Sequence, residues 1–147
     1  SRRGFNIDSL TVGETENPSL SRMTIVVAGD DAILEQVTKQ LHKLIDVIKI
    51  SDITHSPHVQ RDLVMIKVKS TPQNRSEIVQ IVDIFRAKVV DVGRDALVVE
   101  MTGDEEKIDA LTELLRPFGI KELVRTGKIA MVRSPKNRVK GNEEGEL

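Results

Sequence analysis

Two stretches of this chain share one pattern, and this internal repeat limits the possible folds more than any other feature of the sequence. The segments GDDAILEQVTKQL (Gly29–Leu41) and GDEEKIDALTELL (Gly103–Leu115) align without gaps at an offset of 74 positions. Amphipathic helices often resemble one another in pattern alone. Here both copies also begin with Gly-Asp, follow two strand-like runs and precede a third. The shared order favours a structural repeat.

The elements around the second copy complete a recognisable topology. A strand-like run at Leu63–Lys69 and a helical pattern at Glu77–Arg86 precede its hairpin, Val89–Val92 with Ala96–Met101, and Ile120–Val124 follows its helix. This order is β-α-β-β-α-β, the ferredoxin-like unit. The first copy has part of the same order, with strands at Ile7–Val12, Met23–Ala28 and Val47–Ile53 and a helix at Asp31–Ile45. We therefore predict an α+β protein with two ferredoxin-like units in tandem.

The start of the chain is short of the elements that the repeat requires. If the first unit is built like the second, its leading strand and most of its first helix lie upstream of Ser1. The spacing then predicts about 20 to 25 further residues in the intact protein. Ser1-Arg2-Arg3 would be the last turn of that helix, and Gly4 its C-cap.

Composition along the chain predicts the domain boundaries. We expect a first unit at residues 1–54, a linker at 55–60 with the sequence His55-Ser56-Pro57-His58 near its start, and a second unit at 61–133. Residues 134–147 are polar and aperiodic, which is typical of a disordered tail.

Several classes of function are disfavoured by composition. The chain has no cysteine, so it offers no disulfide or thiolate chemistry, and its net charge of −1 gives no general attraction to nucleic acid. Its aromatic residues are only Phe5, Phe85 and Phe118, too few for the base stacking that RNA-binding sheets use. No apolar run approaches the roughly 20 residues of a membrane span. We expect neither a nucleic-acid partner nor a membrane partner.

Motifs for catalysis and metal binding are also missing from the sequence. Neither a G-x-S-x-G nor a G-x-G-x-x-G motif occurs, and Gly127-Lys128 is followed by Ile129 where a phosphate loop has Ser or Thr. His55 and His58 lie in the predicted linker and are interpreted as surface histidines. We expect no catalytic residue and no metal site, and the free edges of small sheets favour dimerisation.

Asn6 is the residue near the chain start that needs an explanation. It follows the predicted helix stop at Gly4 and opens the first strand. Its amide could cap the local turn, which the residues alone favour. It could instead hold a small ligand, since an amide both donates and accepts hydrogen bonds.

Three blocks of sequence resemble one family. They are RRGFNIDSLTVGETENPSLSRMTIVVAGDDAILEQVTKQLHKLIDVIKI, FRAKVVDVG (Phe85–Gly93) and LVRTGKIAMVRS (Leu123–Ser134). From Arg2 to about Ser134, the chain resembles the small, regulatory subunits of acetolactate synthase (acetohydroxyacid synthase). The resemblance implies an N-terminal ACT domain, here without its first strand and most of its first helix, and a C-terminal ACT-like domain. It also implies a homodimer formed through the ACT domains.

The resemblance implies regulation and not catalysis. Such a subunit activates a catalytic large subunit and mediates feedback inhibition by valine or another branched-chain amino acid. Thiamine diphosphate, magnesium and FAD are expected in that partner, and no cofactor in this chain. An alternative is an ACT-type amino-acid sensor that regulates another enzyme or a transcription factor; an enzyme in its own right is the least favoured reading. The expected location is the bacterial cytoplasm, with the plastid stroma as an alternative.

The same resemblance suggests where the effector binds. In the family, one wall of the site is a glycine-containing loop, which would lie upstream of Ser1. The other wall is an R-G-[YF]-N-I motif, matched here by Gly4-Phe5-Asn6-Ile7 after Arg3. The resemblance therefore assigns Asn6 to the polar head group of the effector and Ile7 to backbone contacts beside it.

Overall fold

The computed structural model describes residues 6–136, which form seven strands and three α-helices. In chain order these are β1 (Asn6–Glu14), β2 (Ser21–Ala28), α1 (Asp31–His42), β3 (His58–Lys69), α2 (Arg75–Ile84), β4 (Lys88–Val92), β5 (Ala96–Gly103), α3 (Glu105–Leu115), β6 (Ile120–Arg125) and β7 (Ile129–Val132). A short 3₁₀ turn, Arg116–Phe118, follows α3. No helix within this part of the chain is long and apolar enough to cross a membrane.

The C-terminal unit contains the buried core of the described residues. Its antiparallel sheet has the order β4-β5-β3-β6, and the alternation of β3 turns Val64, Ile66 and Val68 toward α2 and α3. The buried apolar side chains are Val64, Ile66, Val68, Ile78, Val82, Leu97, Val99, Met101, Ile108, Leu111 and Leu115. The elements β3 to β6 thus complete the predicted βαββαβ unit.

The N-terminal unit is a hairpin followed by a helix. Strand β1 pairs with β2 in antiparallel register, and a β-bulge interrupts the pairing between Ile7 and Ser9. No residue of α1 is buried, although Ile33, Val37 and Leu41 follow the predicted apolar stripe. The α+β prediction with tandem units is confirmed.

The predicted repeat is reproduced in the hydrogen bonding of α1 and α3. The Asp30 carboxylate accepts the Ile33 N–H at 3.1 Å, and the Asp104 carboxylate accepts the Lys107 N–H at 2.9 Å. One turn further on, the hydroxyls of Thr38 and Thr112 each donate 2.8 Å bonds to the carbonyls four residues earlier. Every one of these pairs is related by the offset of 74, so the repeat is structural.

One prediction about the joining region is wrong. Val47–Ile53 is not a strand. The equivalent strand of the second unit, β6, pairs with β3 at the start of that unit, whereas no described strand pairs with residues 47–53. Strand β3 also begins at His58, inside the predicted linker, because β7 pairs with residues His58–Arg61.

Other differences concern element ends and the termini. Helix α1 ends at His42 and not at Ile45. After His42, the N–H groups of Lys43 and Leu44 donate turn-type hydrogen bonds to the carbonyls of Gln40 and Leu41. The helical turn predicted at residues 1–3, its cap at Gly4 and most of the predicted tail lie outside the described residues.

Candidate functional site

Asn6 and Ile7 occupy the first two positions of β1, beside the end of β2. Asn6 pairs with Ala28, and Ile7 pairs with Val27. Both residues are exposed, and 55% of the Ile7 surface is accessible. Their surroundings leave the two side chains free to contact another molecule.

The bulge at Asp8 decides which way these two side chains point. Directly opposite residues in an antiparallel pair share a face. Asn6 pairs with Ala28 and Ser9 with Val26, so Asn6 and Ser9 lie on one face of the hairpin. Without the extra residue, Ile7 would share the face of Ser9. Asn6 therefore presents its polar group on the face of Ser9, and Ile7 presents its apolar side chain on the other face.

The face that carries Ser9 lies against the turn between β6 and β7, and we call this contact the seam. The Lys128 N–H donates to Ser9 Oγ at 2.8 Å, and Arg22 Nη2 donates to the Ala130 carbonyl at 2.8 Å. Gly127 has φ +89° there, and an added Cβ would lie 2.7 Å from Ser9 Oγ and 2.8 Å from Thr11 Oγ1. A side chain at Gly127 would thus push the hairpin away.

One side of the seam is a cleft of about 500 Å³ that contains two ion pairs, and we call it the paired cleft. The Asp62 side chain is only 3% exposed and accepts bonds from Arg125 Nε at 3.1 Å and Arg125 Nη2 at 2.8 Å. The Thr126 hydroxyl donates to Asp62 at 3.2 Å. Such a buried, fully bonded carboxylate fixes the end of β6 against β3 and is poorly suited to bind a ligand.

Lys128 and Glu105 form the second pair in this cleft. Lys128 Nζ lies 2.7 Å from Glu105 Oε2, and the Lys128 side chain is 14% exposed. The hydrogen bond from Lys128, with its positive charge, holds the pKa of Glu105 below the usual value of 4.5. Glu105 is the first residue of α3, where the helix dipole also favours a negative charge.

Helix α1 carries a related pair on its surface. Its first residue, Asp31, is equivalent to Glu105 in the repeat, and Asp31 Oδ1 lies 3.0 Å from His55 Nε2. The hydrogen bond to Asp31, with its negative charge, raises the pKa of His55 above 6.5. Each helix start is therefore tied to a later segment of the chain.

The opposite side of the seam is a larger cleft of about 740 Å³, lined by Arg22, Arg61, Arg133 and Lys136. We call it the cationic cleft. Thr11 also lines it, and the Thr11 hydroxyl oxygen is buried without a hydrogen-bond partner among residues 6–136. No sequence pattern indicates this cleft, because its walls come from three separate segments, of which the first and the last lie more than 100 positions apart. The inward-facing Asp62, by contrast, could have been found from the alternation of β3.

Residues 6–136 contain no group of three His, Asp or Glu side chains positioned to hold a metal ion. His55 contacts Asp31, and His58 Nδ1 lies 2.7 Å from the Ser56 carbonyl. His55 is exposed and His58 is half-buried, and each contacts a different residue.

Two family models match the chain along most of its length. The model described as "AHAS small subunit-like ACT domain" matches residues 1–49, and that described as "Small subunit of acetolactate synthase" matches residues 61–134. A probable acetolactate synthase small subunit of Archaeoglobus fulgidus is 60% identical over 135 residues, covering 92% of this chain and 84% of the relative. The chain belongs to the acetolactate synthase small-subunit family.

Two further members extend the comparison. The chloroplastic acetolactate synthase small subunit 2 of Arabidopsis thaliana is 54% identical over 132 residues, which are 90% of this chain and 27% of that protein. The crystal structure of the small subunit from Thermotoga maritima is 44% identical, with a TM-score of 0.83, covering 92% of this chain and 84% of that one. The small-subunit fold therefore extends across both units of this chain.

Proposed function

We propose that this protein is the regulatory subunit of acetolactate synthase, which activates the catalytic large subunit and makes it sensitive to a branched-chain amino acid. The observation that carries this proposal is the family membership, which includes both units and not only one domain. The chain itself would perform no catalysis. Thiamine diphosphate, magnesium and FAD would belong to the large subunit.

The effector would bind at the start of β1. Asn6 is exposed there and offers one donor and one acceptor group to an amino-acid head group. Ile7 is adjacent and would contribute backbone contacts. A second copy of the chain would supply the facing wall, so that the effector binds a homodimer better than separate subunits.

Regulation then follows from differential binding. An effector changes activity only if it binds one state of the assembly more tightly than another. Because Asn6 and Ser9 share a face of β1, movement of the hairpin on binding would reach the seam within three residues.

Purified large subunit titrated with this protein, with and without valine, leucine and isoleucine, tests the proposal. We expect acetolactate formation to rise with added protein and to fall when one of these amino acids is present. Unchanged activity together with separate elution of the two proteins on size exclusion would refute it and favour a sensor for another enzyme or a transcription factor.

The effector site is tested by Asn6→Ala in the intact protein, with Gln73→Ala as the matched control. Gln73 is exposed and lies just before α2, far along the chain from β1. We expect Asn6→Ala to weaken inhibition about tenfold, the loss of roughly one hydrogen bond to a charged group, while activation persists. Equal inhibition of both variants would show that the effector binds elsewhere.

The family includes bacterial and chloroplast members, and we propose a cytoplasmic location in a bacterium for this one. Fractionation of the native organism followed by detection of the protein would decide this.

A further inference from the structure

The two clefts beside the seam differ in whether their basic side chains have carboxylate partners. In the paired cleft, Arg125 and Lys128 each contact a carboxylate. In the cationic cleft, the guanidinium groups of Arg22, Arg61 and Arg133 have no carboxylate within 4.0 Å among residues 6–136. Among residues 6–136, the only acidic residue of its lining is Glu14. Like charges gathered without counter-charges are unfavourable unless an anion joins them.

The cationic cleft is built from two facing ribbons. On the hairpin, Thr11 pairs with Thr24 and Gly13 with Arg22, so these four residues share one face. On the opposite ribbon, Val59 pairs with Met131 and Arg61 with Ile129, which again puts four residues on one face. All eight line the cleft. Its walls are therefore regular strands and not loops, which suits a preformed site.

Two of the arginines are partly fixed but keep free donors. Arg22 Nη2 donates one hydrogen bond to the Ala130 carbonyl, and Arg61 Nη1 donates one to the Gln60 carbonyl at 2.7 Å. A guanidinium has five N–H groups, so each retains several for a ligand. Fixed guanidinium groups lose less conformational freedom when they bind an anion.

The rest of the lining is apolar. Val59, Ile129, Met131 and Val132 contribute aliphatic surface, and Met131 is 64% exposed. The volume of about 740 Å³ lies within the range of small-molecule sites, about 300 to 1,000 Å³. An inorganic anion alone would leave this apolar surface in contact with water.

We propose that the cationic cleft binds a small organic anion with a doubly charged head group, of the phosphate-ester class, on an apolar body. Arginines of the cleft lining bind the head group, and the apolar side chains of the β3–β7 ribbon contact the apolar body. This site is separate from Asn6 and Ile7, and it does not depend on the regulatory function proposed above.

The test uses 1-naphthyl phosphate as the probe, with 1-naphthol and inorganic phosphate as its two halves, titrated into the intact protein by calorimetry. We expect the full probe to bind at least tenfold more tightly than either half, with chemical shift changes at Thr11, Ile129 and Met131. If 1-naphthol bound as tightly as the full probe, binding would be apolar adsorption only. If inorganic phosphate bound as tightly as the full probe, binding would be a charge effect only. Either outcome, or no binding at 1 mM probe, refutes the proposal.

Arg61→Gln and Arg133→Gln identify the residues, with Arg94→Gln as the matched control. All three arginines are exposed, and Arg94 lies at the β4–β5 turn outside the cleft lining. Loss of an arginine that binds the head group should weaken binding of the probe about tenfold, as expected for a hydrogen bond between charged groups. Thermal unfolding checks that each variant is folded. An equal loss of probe affinity in Arg94→Gln, or no loss of probe affinity in either cleft variant, contradicts the assignment.

Discussion

Helices α1 and α3 begin in the same way but end up in different surroundings. Each has an aspartate N-cap, a carboxylate at its first position and a threonine that bonds back to the preceding turn. Yet α3 buries Ile108, Leu111, Thr112 and Leu115, whereas α1 buries no residue. Local sequence thus determines where a helix starts, and distant packing determines how much it stabilises the fold.

The difference has a simple physical origin. Capping and back-bonding join atoms within one helical turn, so they form wherever the sequence allows them. Burial requires other elements to cover the apolar stripe, and α3 receives these from α2, β3 and β5. The stripe of α1 remains half-exposed in the described structure, which leaves it available to further chain or to a second copy.

The largest expected contrast is between Leu115→Ala in α3 and Leu41→Ala in α1, which occupy equivalent positions of the repeat. Leu115 is fully buried and Leu41 is half-buried. We expect Leu115→Ala to lower the free energy of unfolding by about 2–5 kcal/mol, and Leu41→Ala to lower it much less. Urea unfolding followed by circular dichroism measures both. Equal losses would mean that α1 is buried as deeply as α3 in solution.

Removal of the two N-caps should lower stability by less than Leu115→Ala does. Asp104→Ala and Asp30→Ala each remove one carboxylate-to-N–H bond, with a loss of about 1 kcal/mol. In α3 the loss should appear in global unfolding, because that helix packs on the core. In α1 it should appear as faster amide exchange within the helix, with little change in global stability. Asp→Asn at either site, which retains a capping oxygen, is the control, and a global loss from Asp30→Ala would contradict the contrast.

The smallest expected effect is a difference in pH dependence between the ion pairs at the helix starts. His55 has a raised pKa, so the Asp31–His55 pair contributes below pH 6.5 and is lost as pH rises through that raised value. Glu105 has a lowered pKa, so the Glu105–Lys128 pair contributes above pH 4.5 and is lost as pH falls through that lowered value.

NMR titration of the His55 ring and the Glu105 carboxyl group measures both shifts. Asp31→Asn should return the pKa of His55 toward 6.5, and Lys128→Gln should return the pKa of Glu105 toward 4.5. Unchanged titration curves in these variants would mean that neither pair persists in solution.

Much of the fold could be predicted from the sequence because its signals are local. The helix starts at Asp30 and Asp104, the hairpin strands and the repeat that relates them all depend on neighbouring residues or on simple periodicity. The predicted strand at Val47–Ile53 failed because a strand also needs a partner, and periodicity does not supply one.

The candidate sites also differ in whether local sequence can predict them. Asn6 and Ile7 were chosen from a short motif, and their assignment to the effector remains a prediction. The bulge at Asp8, which puts Asn6 and not Ile7 on the face of Ser9, could not be read from the sequence, because a bulge depends on cross-strand register. The cationic cleft was missed for a related reason, since Arg22 and Arg133 line the same cleft only after the chain has folded.

The change of pairing partners along strand β3 affects how a displacement of β7 would reach the core. Its residues from Asp62 onward have neighbours on one or both edges in the main sheet, and residues His58–Arg61 are paired only with β7. Amide protection should therefore decline along this one strand, from the centre of the sheet to the cleft wall. A pull on β7 would pass through its backbone hydrogen bonds to residues His58–Arg61 and then along the covalent backbone of β3 into the core.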